Sequence, residues 1–209
     1  MILFIYDDRR GRGHRMRCEA IREAIGVMGG ENGALLRWPP SATEPRAVGP
    51  SPPFPVIDTV VLDTYEPWVP IVAKRWEATG AKVYVLEDFP GFRWREDRTI
   101  RPVGEYAIVS QEAVALKGTE KTQDVFDARA LAVGKDRIPA AAFAHHLAIS
   151  KLVKCYATTT AIDAAYLDCA LDMFCRHPGE QATYDWLCTG DRPDGAGAYR
   201  IAERLLEGK

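Results

Sequence analysis

The sequence predicts an α/β chain built on parallel sheets, and two observations carry that expectation. Apolar runs at residues 2–6 and 59–62 are uninterrupted by polar positions, as in strands buried on both faces of a parallel sheet. Between such runs lie segments whose apolar residues recur every three or four positions, the spacing of an amphipathic helix. Strand and helix alternating in this way describe successive βαβ units.

In order, the first half reads as a strand at 2–6 and a helix whose apolar positions are Met16, Ala20, Ile21, Ala24, Ile25 and Met28. Gly29-Gly30 then supplies a stop signal. A second strand is expected at 34–38. Residues 39–55 hold seven of the fourteen prolines, so regular structure there is not expected, and a long surface loop or a flap over a site is. Strands follow at 59–62 and 82–86, separated by a helix at 71–79 that Gly80 ends. The charged, aperiodic stretch 91–104 makes the domain boundary. The second half reads as strands at 106–110 and 130–133, a helix at 140–149, a strand at 152–156, a turn at 157–160 and a helix at 161–167. The last strand is expected at 170–174, and helices at 180–187 and 199–206. His145 and His146 lie on the 140–149 helix, where adjacent side chains diverge by about 100° and cannot share a metal. They are read as surface or packing residues.

The bulk numbers exclude several classes. A chain of 209 residues with net charge −2 has no general attraction to nucleic acid or anionic membrane. No run has the length of a membrane-spanning helix, and the N-terminus lacks the apolar core of a signal peptide. Five cysteines without CxxC spacing argue against a zinc site or a disulfide framework. A cytoplasmic location is expected, with no metal and no membrane partner.

The turn from Asp7 to Cys18 concentrates the chemistry. Gly11 and Gly13 lie between strand and helix, where absent side chains let backbone amides approach a ligand. A helix N-terminus favours anions, and Arg9, Arg10, Arg12, Arg15 and Arg17 add charge. His14, at the mouth of the helix, is the candidate for proton transfer near neutral pH. The third glycine of the dinucleotide fingerprint is absent, with Met16 in its place. A carboxylate, Asp63, ends the 59–62 run, at the strand edge where open α/β sheets bind ligands. Helix capping or loop bonding is the alternative for Asp63, and the favoured reading for Asp88.

Gly11-x-Gly13-His14-x-x-Arg17-Cys18 resembles the GxGHxxRC signature of the PseG-like family, UDP-sugar hydrolases that share the GT-B fold with MurG-type glycosyltransferases. The resemblance implies a catalytic histidine at His14. Leu62-Asp63-Thr64-Tyr65 is similar to a family strand ending in Asp-x-Tyr, and Leu86-Glu87-Asp88, more loosely, to one ending in an Asp-Asp pair. Residues 152–167 are similar to the strand, loop and helix that hold a nucleotide diphosphate. Thr160 matches the family threonine, Asp163 the ribose-binding glutamate, and Gln181 a glutamine facing the sugar. Ala157 and Thr158 stand where the family has a glycine pair, which would crowd a pyrophosphate. An N-capping turn without a ligand is the alternative for Thr158, Thr159 and Thr160.

Together these readings predict two Rossmann-like halves, 1–104 and 105–209, facing across a cleft in a reduced GT-B-like arrangement. The second half looks trimmed, and is expected to lean on the first or on a second subunit in a homodimer. The expected activity is transfer from a nucleotide-activated sugar to a hydroxyl acceptor. His14 would be the general base, with Asp63 as orienter or alternative base. Gly11, Gly13, Arg17, Thr158–Thr160, Asp163 and Gln181 would bind substrate. A small molecule, a glycan and a modified base in DNA are the acceptors considered. Hydrolysis of the nucleotide-sugar is the alternative, and a non-catalytic nucleotide-sugar binding module the alternative of another class.

Overall fold

The computed structural model describes residues 1–7, 13–31, 33–38, 56–64, 66–88, 94–129 and 138–208. Contacts divide the chain into two units, 1–87 with 91–101 and 198–209, and 88–90 with 102–197. The last helix therefore counts with the first unit, although sequence order placed it in the second half.

The first unit is a five-stranded parallel sheet. Its elements are β1 (Ile2–Tyr6), α1 (Gly13–Val27), β2 (Ala34–Arg37), β3 (Thr59–Asp63), α2 (Val69–Glu77), β4 (Lys82–Leu86) and β5 (Thr99–Ile100). The strand order is β2-β1-β3-β4-β5. The chain steps from β1 outward to β2, then returns past β1 to lay down β3, β4 and β5. Right-handed crossovers in opposite directions place their helices on opposite faces. One face packs Leu3, Ile5, Val60, Leu62, Val83 and Val85 against α2 through Val69, Val72, Ala73 and Trp76. Alternation of side chains along a strand turns Thr59, Val61 and Asp63 to the other face, which α1 covers.

The final helix, α7 (Gly197–Glu207), buries Ile201, Ala202 and Leu205 completely. It belongs to this unit through specific contacts. Arg204 Nη2 donates to the Asp97 carbonyl at 3.0 Å. A Cβ built on Gly30 would stand 3.1 Å from Leu206 Cδ2.

Both regular expectations for α1 are modified. The helix stops at Val27, and Gly29, with φ of +78°, takes the left-handed conformation that ends it. Its buried stripe is His14, Arg17, Cys18, Ile21, Ala24 and Ile25, whereas Met16 and Ala20 are half-buried and Met28 exposed. The helix is rotated so that two ionisable side chains point inward. Helix α2 starts at Val69 rather than residue 71, since Pro70 fits a first helical turn. Residues 91–104 also do more than link: Thr99 and Ile100 form the edge strand β5.

The second unit comprises α3 (Gln111–Ala115), β6 (Gln123–Asp127), α4 (Ala140–Ile149), β7 (Ser150–Tyr156), α5 (Thr159–Tyr166), β8 (Ala170–Phe174) and α6 (Gln181–Cys188). Its parallel sheet runs β6-β7-β8. Both crossovers advance in the same direction, so α4 and α5 lie on the same face. That face carries the core, with Phe126, Val153, Cys155, Leu147, Ala161 and Ile162 packed together. Val125 and Phe174 point the other way and are 46% and 40% exposed.

The strand expected at 106–110 is not formed. Residues 107–110 are buried but form no strand; the Ser110 hydroxyl accepts the Ala113 amide at 3.2 Å and turns the run into the entry of α3. Strand β6 lies instead in the polar stretch that follows, with only Phe126 buried among its five residues. The expected strand at 130–133 and the proline-rich segment 39–55 lie outside the described residues.

If α7 completes the core of the first unit, Leu205→Ala removes a fully buried side chain there. We expect a loss of about 2–5 kcal/mol in chemical denaturation, with the transition of the first unit moving first.

Candidate functional site

In an open α/β sheet, ligands bind beyond the carboxyl ends of the strands, where the strand order reverses. In the first unit that reversal lies between β1 and β3. Tyr6 and Asp63, the last residues of the two strands, are register partners, and the Asp7 amide donates to the Asp63 carbonyl at 3.1 Å. Helix α1 begins at Gly13, and its first two turns bring side chains to the end of β3.

The spacing of His14, Arg17 and Cys18 is i, i+3, i+4, one face of a helix. All three meet Asp63, whose side chain is 0% exposed. His14 Nδ1 lies 2.5 Å from Asp63 Oδ1. Arg17 Nη2 donates to the same oxygen at 2.6 Å, and Arg17 Nε to Oδ2 at 3.1 Å. The Cys18 thiol adds a long contact to Oδ2 at 3.9 Å. Burial alone would oppose ionisation of Asp63. The charge of Arg17, with His14 and the hydrogen bonds from both, outweighs it and holds the carboxyl below its usual value. The Cys18 thiol is pushed the other way, well up, chiefly by burial and next by the Asp63 charge, so it remains a protonated donor.

These facts fix the tautomer of His14. Its Nδ1 is 2.9 Å from Arg17 Nη2 as well as close to Asp63 Oδ1. A guanidinium only donates, and an ionised carboxylate only accepts. Two donors therefore converge on one oxygen: Nδ1 carries its hydrogen toward Asp63, and the ring in its neutral form has its lone pair on Nε2. A buried Asp–His pair of this kind orients a general base.

The other expected residues are placed as follows. Gly13 is the first residue of α1, while Gly11 with Arg9, Arg10 and Arg12 lies outside the described residues. Of the two described arginines in the cluster, Arg15 pairs with Glu19 at 2.7 Å on the exposed side. Arg17, expected as a substrate contact, is 7% exposed and turned onto Asp63. Glu87 is buried and Asp88 half-buried at the end of β4. In the second unit Thr158 caps α5, its hydroxyl accepting the Thr160 amide at 3.4 Å, and Thr159 and Thr160 open the helix half-buried. Gln181 is exposed and donates to Asp185 Oδ1 at 2.6 Å.

Asp163 departs most from expectation. Because α5 begins at Thr159, Asp163 falls in the second turn rather than the first, and faces inward. Its Oδ1 accepts the Ser110 amide at 2.8 Å, tying α5 to the entry of α3. Burial raises its pKa to about 7, Glu112 adding to the rise while the hydrogen bonds from Ser110 oppose it. A carboxylate so engaged is not presented to a ribose. His146 stacks on Phe126 with centroids 5.3 Å apart, a packing role. Among the described residues, no group of three or more His, Cys, Asp or Glu side chains is arranged to hold a metal ion, and no helix is long and apolar enough to cross a membrane. Comparison with models of known protein families gives no match, and neither does comparison with the curated proteins.

Two stability effects follow from the buried carboxylates of Asp63 and Asp163. Asp63→Ala leaves the Arg17 charge buried without its partner, so the first unit should lose about 3–5 kcal/mol in denaturant titrations. Asp163 acts in the opposite sense with pH. Folded, it binds its proton up to about pH 7, whereas an unfolded aspartate releases it near pH ~3.9. Stability should therefore fall as pH rises through that window, by up to about 1.4 kcal/mol per unit. Asp163→Asn keeps the acceptor for Ser110 and should flatten that slope in pH-dependent unfolding.

Proposed function

We propose that the protein acts on a nucleotide-activated sugar, with His14 as the general base for a hydroxyl acceptor. The observation that carries this reading is the Asp63–His14 pair at the strand-order reversal of the first unit. It turns Nδ1 of the imidazole toward Asp63 and leaves Nε2 as the basic nitrogen of the neutral ring, at the sheet edge where α/β proteins bind ligands. The resemblance of Gly11-x-Gly13-His14-x-x-Arg17-Cys18 to the PseG-like signature supplies the substrate class.

In this reaction His14 Nε2 takes the proton of the acceptor hydroxyl. The acceptor oxygen forms a bond to the anomeric carbon, and the bond from that carbon to the diphosphate breaks. The nucleoside diphosphate leaves with the electron pair. Asp163 has no part in ribose binding in this scheme. Water as the acceptor gives hydrolysis; a sugar, a small molecule or a modified base in DNA gives transfer.

The test is release of free nucleoside diphosphate from UDP-, GDP- and dTDP-sugars, without acceptor and then with hydroxyl acceptors that include hydroxymethylated DNA. Release should fall by about 10²–10⁴ in His14→Ala, the usual worth of a positioned general base. Release without acceptor identifies a hydrolase, and release only with one identifies a transferase and its acceptor. Tight nucleotide binding without turnover on any acceptor would make the protein a binding module and overturn the proposal.

A further inference from the structure

An anionic carboxylate beside a histidine does two things at once: it orients the ring, and it draws a second proton onto it. An imidazolium has no lone pair and cannot serve as a base. The geometry around Asp63 separates the two effects. Arg17, whose guanidinium does not lose its proton, grips both oxygens of Asp63 through Nη2 at 2.6 Å and Nε at 3.1 Å. The Cys18 thiol from α1 contacts Oδ2, and Asp7 is buried at the end of β1 beside β3.

We infer that Arg17 is a positioning residue for His14: by neutralising Asp63 in advance, it lets the carboxylate orient the imidazole without charging it. The inference rests on His14 being the base, and assigns Arg17 a task no substrate contact requires. Arginine suits it better than lysine. Its planar fork reaches both carboxylate oxygens, so Oδ1 still lies where it accepts Nδ1–H. The motif spacing suits the same geometry, because the i+3 position puts Arg17 on the helix face of His14, where its fork meets the carboxylate.

The imidazole proton can be followed without turnover, in ¹⁵N-histidine-labelled protein by two-bond ¹⁵N–¹H spectra, which tell the Nδ1–H ring, the Nε2–H ring and the imidazolium apart. The full chain should show His14 as the Nδ1–H tautomer. In Arg17→Gln the second proton should bind at a pH higher than in the intact protein by about one to three units. Arg17→Lys, which keeps the charge, should restore most of that difference. An Nε2–H ring in the intact protein would overturn the inference without any variant. So would a folded R17Q that titrates like the intact protein. Should R17Q not fold, the intact tautomer and R17K decide the matter, an R17K titration displaced as far as one to three units upward counting against it. Absence of turnover on every nucleotide-sugar defeats the proposed function but leaves these spectra readable, so the two failures are distinct.

Discussion

A carboxylate in the core at the end of a buried strand must be compensated, and Asp63 organises the first unit around that requirement. With no exposed surface, its two oxygens receive His14, Arg17 and Cys18, all from the first two turns of α1. Its compensation accounts for a polar head on an otherwise apolar helix face. The same bonds that make the buried charge tolerable hold an imidazole in one tautomer. Structural necessity and chemical potential coincide at this residue.

Strand order decides where such a group becomes useful. In the first unit the chain reverses direction between β1 and β3, and the helices that follow diverge to opposite faces, opening the sheet edge at Asp63. The second unit advances β6, β7, β8 in a single direction, so its core lies on one face and its described strands contain no reversal. Its buried carboxylate, Asp163, is turned to a structural bond with Ser110. Two acids at comparable places, one after a strand and one in the following helix, thus meet opposite fates. Arg17 holds Asp63 ionised, while burial without a counter-charge keeps Asp163 near neutrality.

Much of the fold was legible because buried parallel strands are largely apolar: β1, β3 and β4 lie where the runs predict them. The failures have identifiable causes. Residues 107–110 are apolar enough for a strand, but the Ser110 cap diverts them into a helix entry. Strand β6 buries only Phe126, so its pattern is too polar to notice. In α1, apolar periodicity alone found Ile21, Ala24 and Ile25 but added Met16, Ala20 and Met28, because the polar His14 and Arg17 complete the buried stripe. The i, i+3, i+4 spacing of His14, Arg17 and Cys18, continued by Ile21, Ala24 and Ile25, was the signal that could have found it.

By itself the sequence determined the alternation of strand and helix, the position of His14 at a helix mouth and that of Asp63 at a strand end. Those properties are local, set by periodicity and by turn residues within a few positions. Only the tertiary structure decided that the two meet across 49 residues, that Arg17 serves Asp63 rather than solvent or ligand, and that Asp163 turns inward. Strand order and helix rotation settle such pairings, and both depend on what every other segment must bury. The last helix makes the same point: its apolar stripe was plain, but nothing local told that Ile201 and Leu205 belong to the core of the first unit.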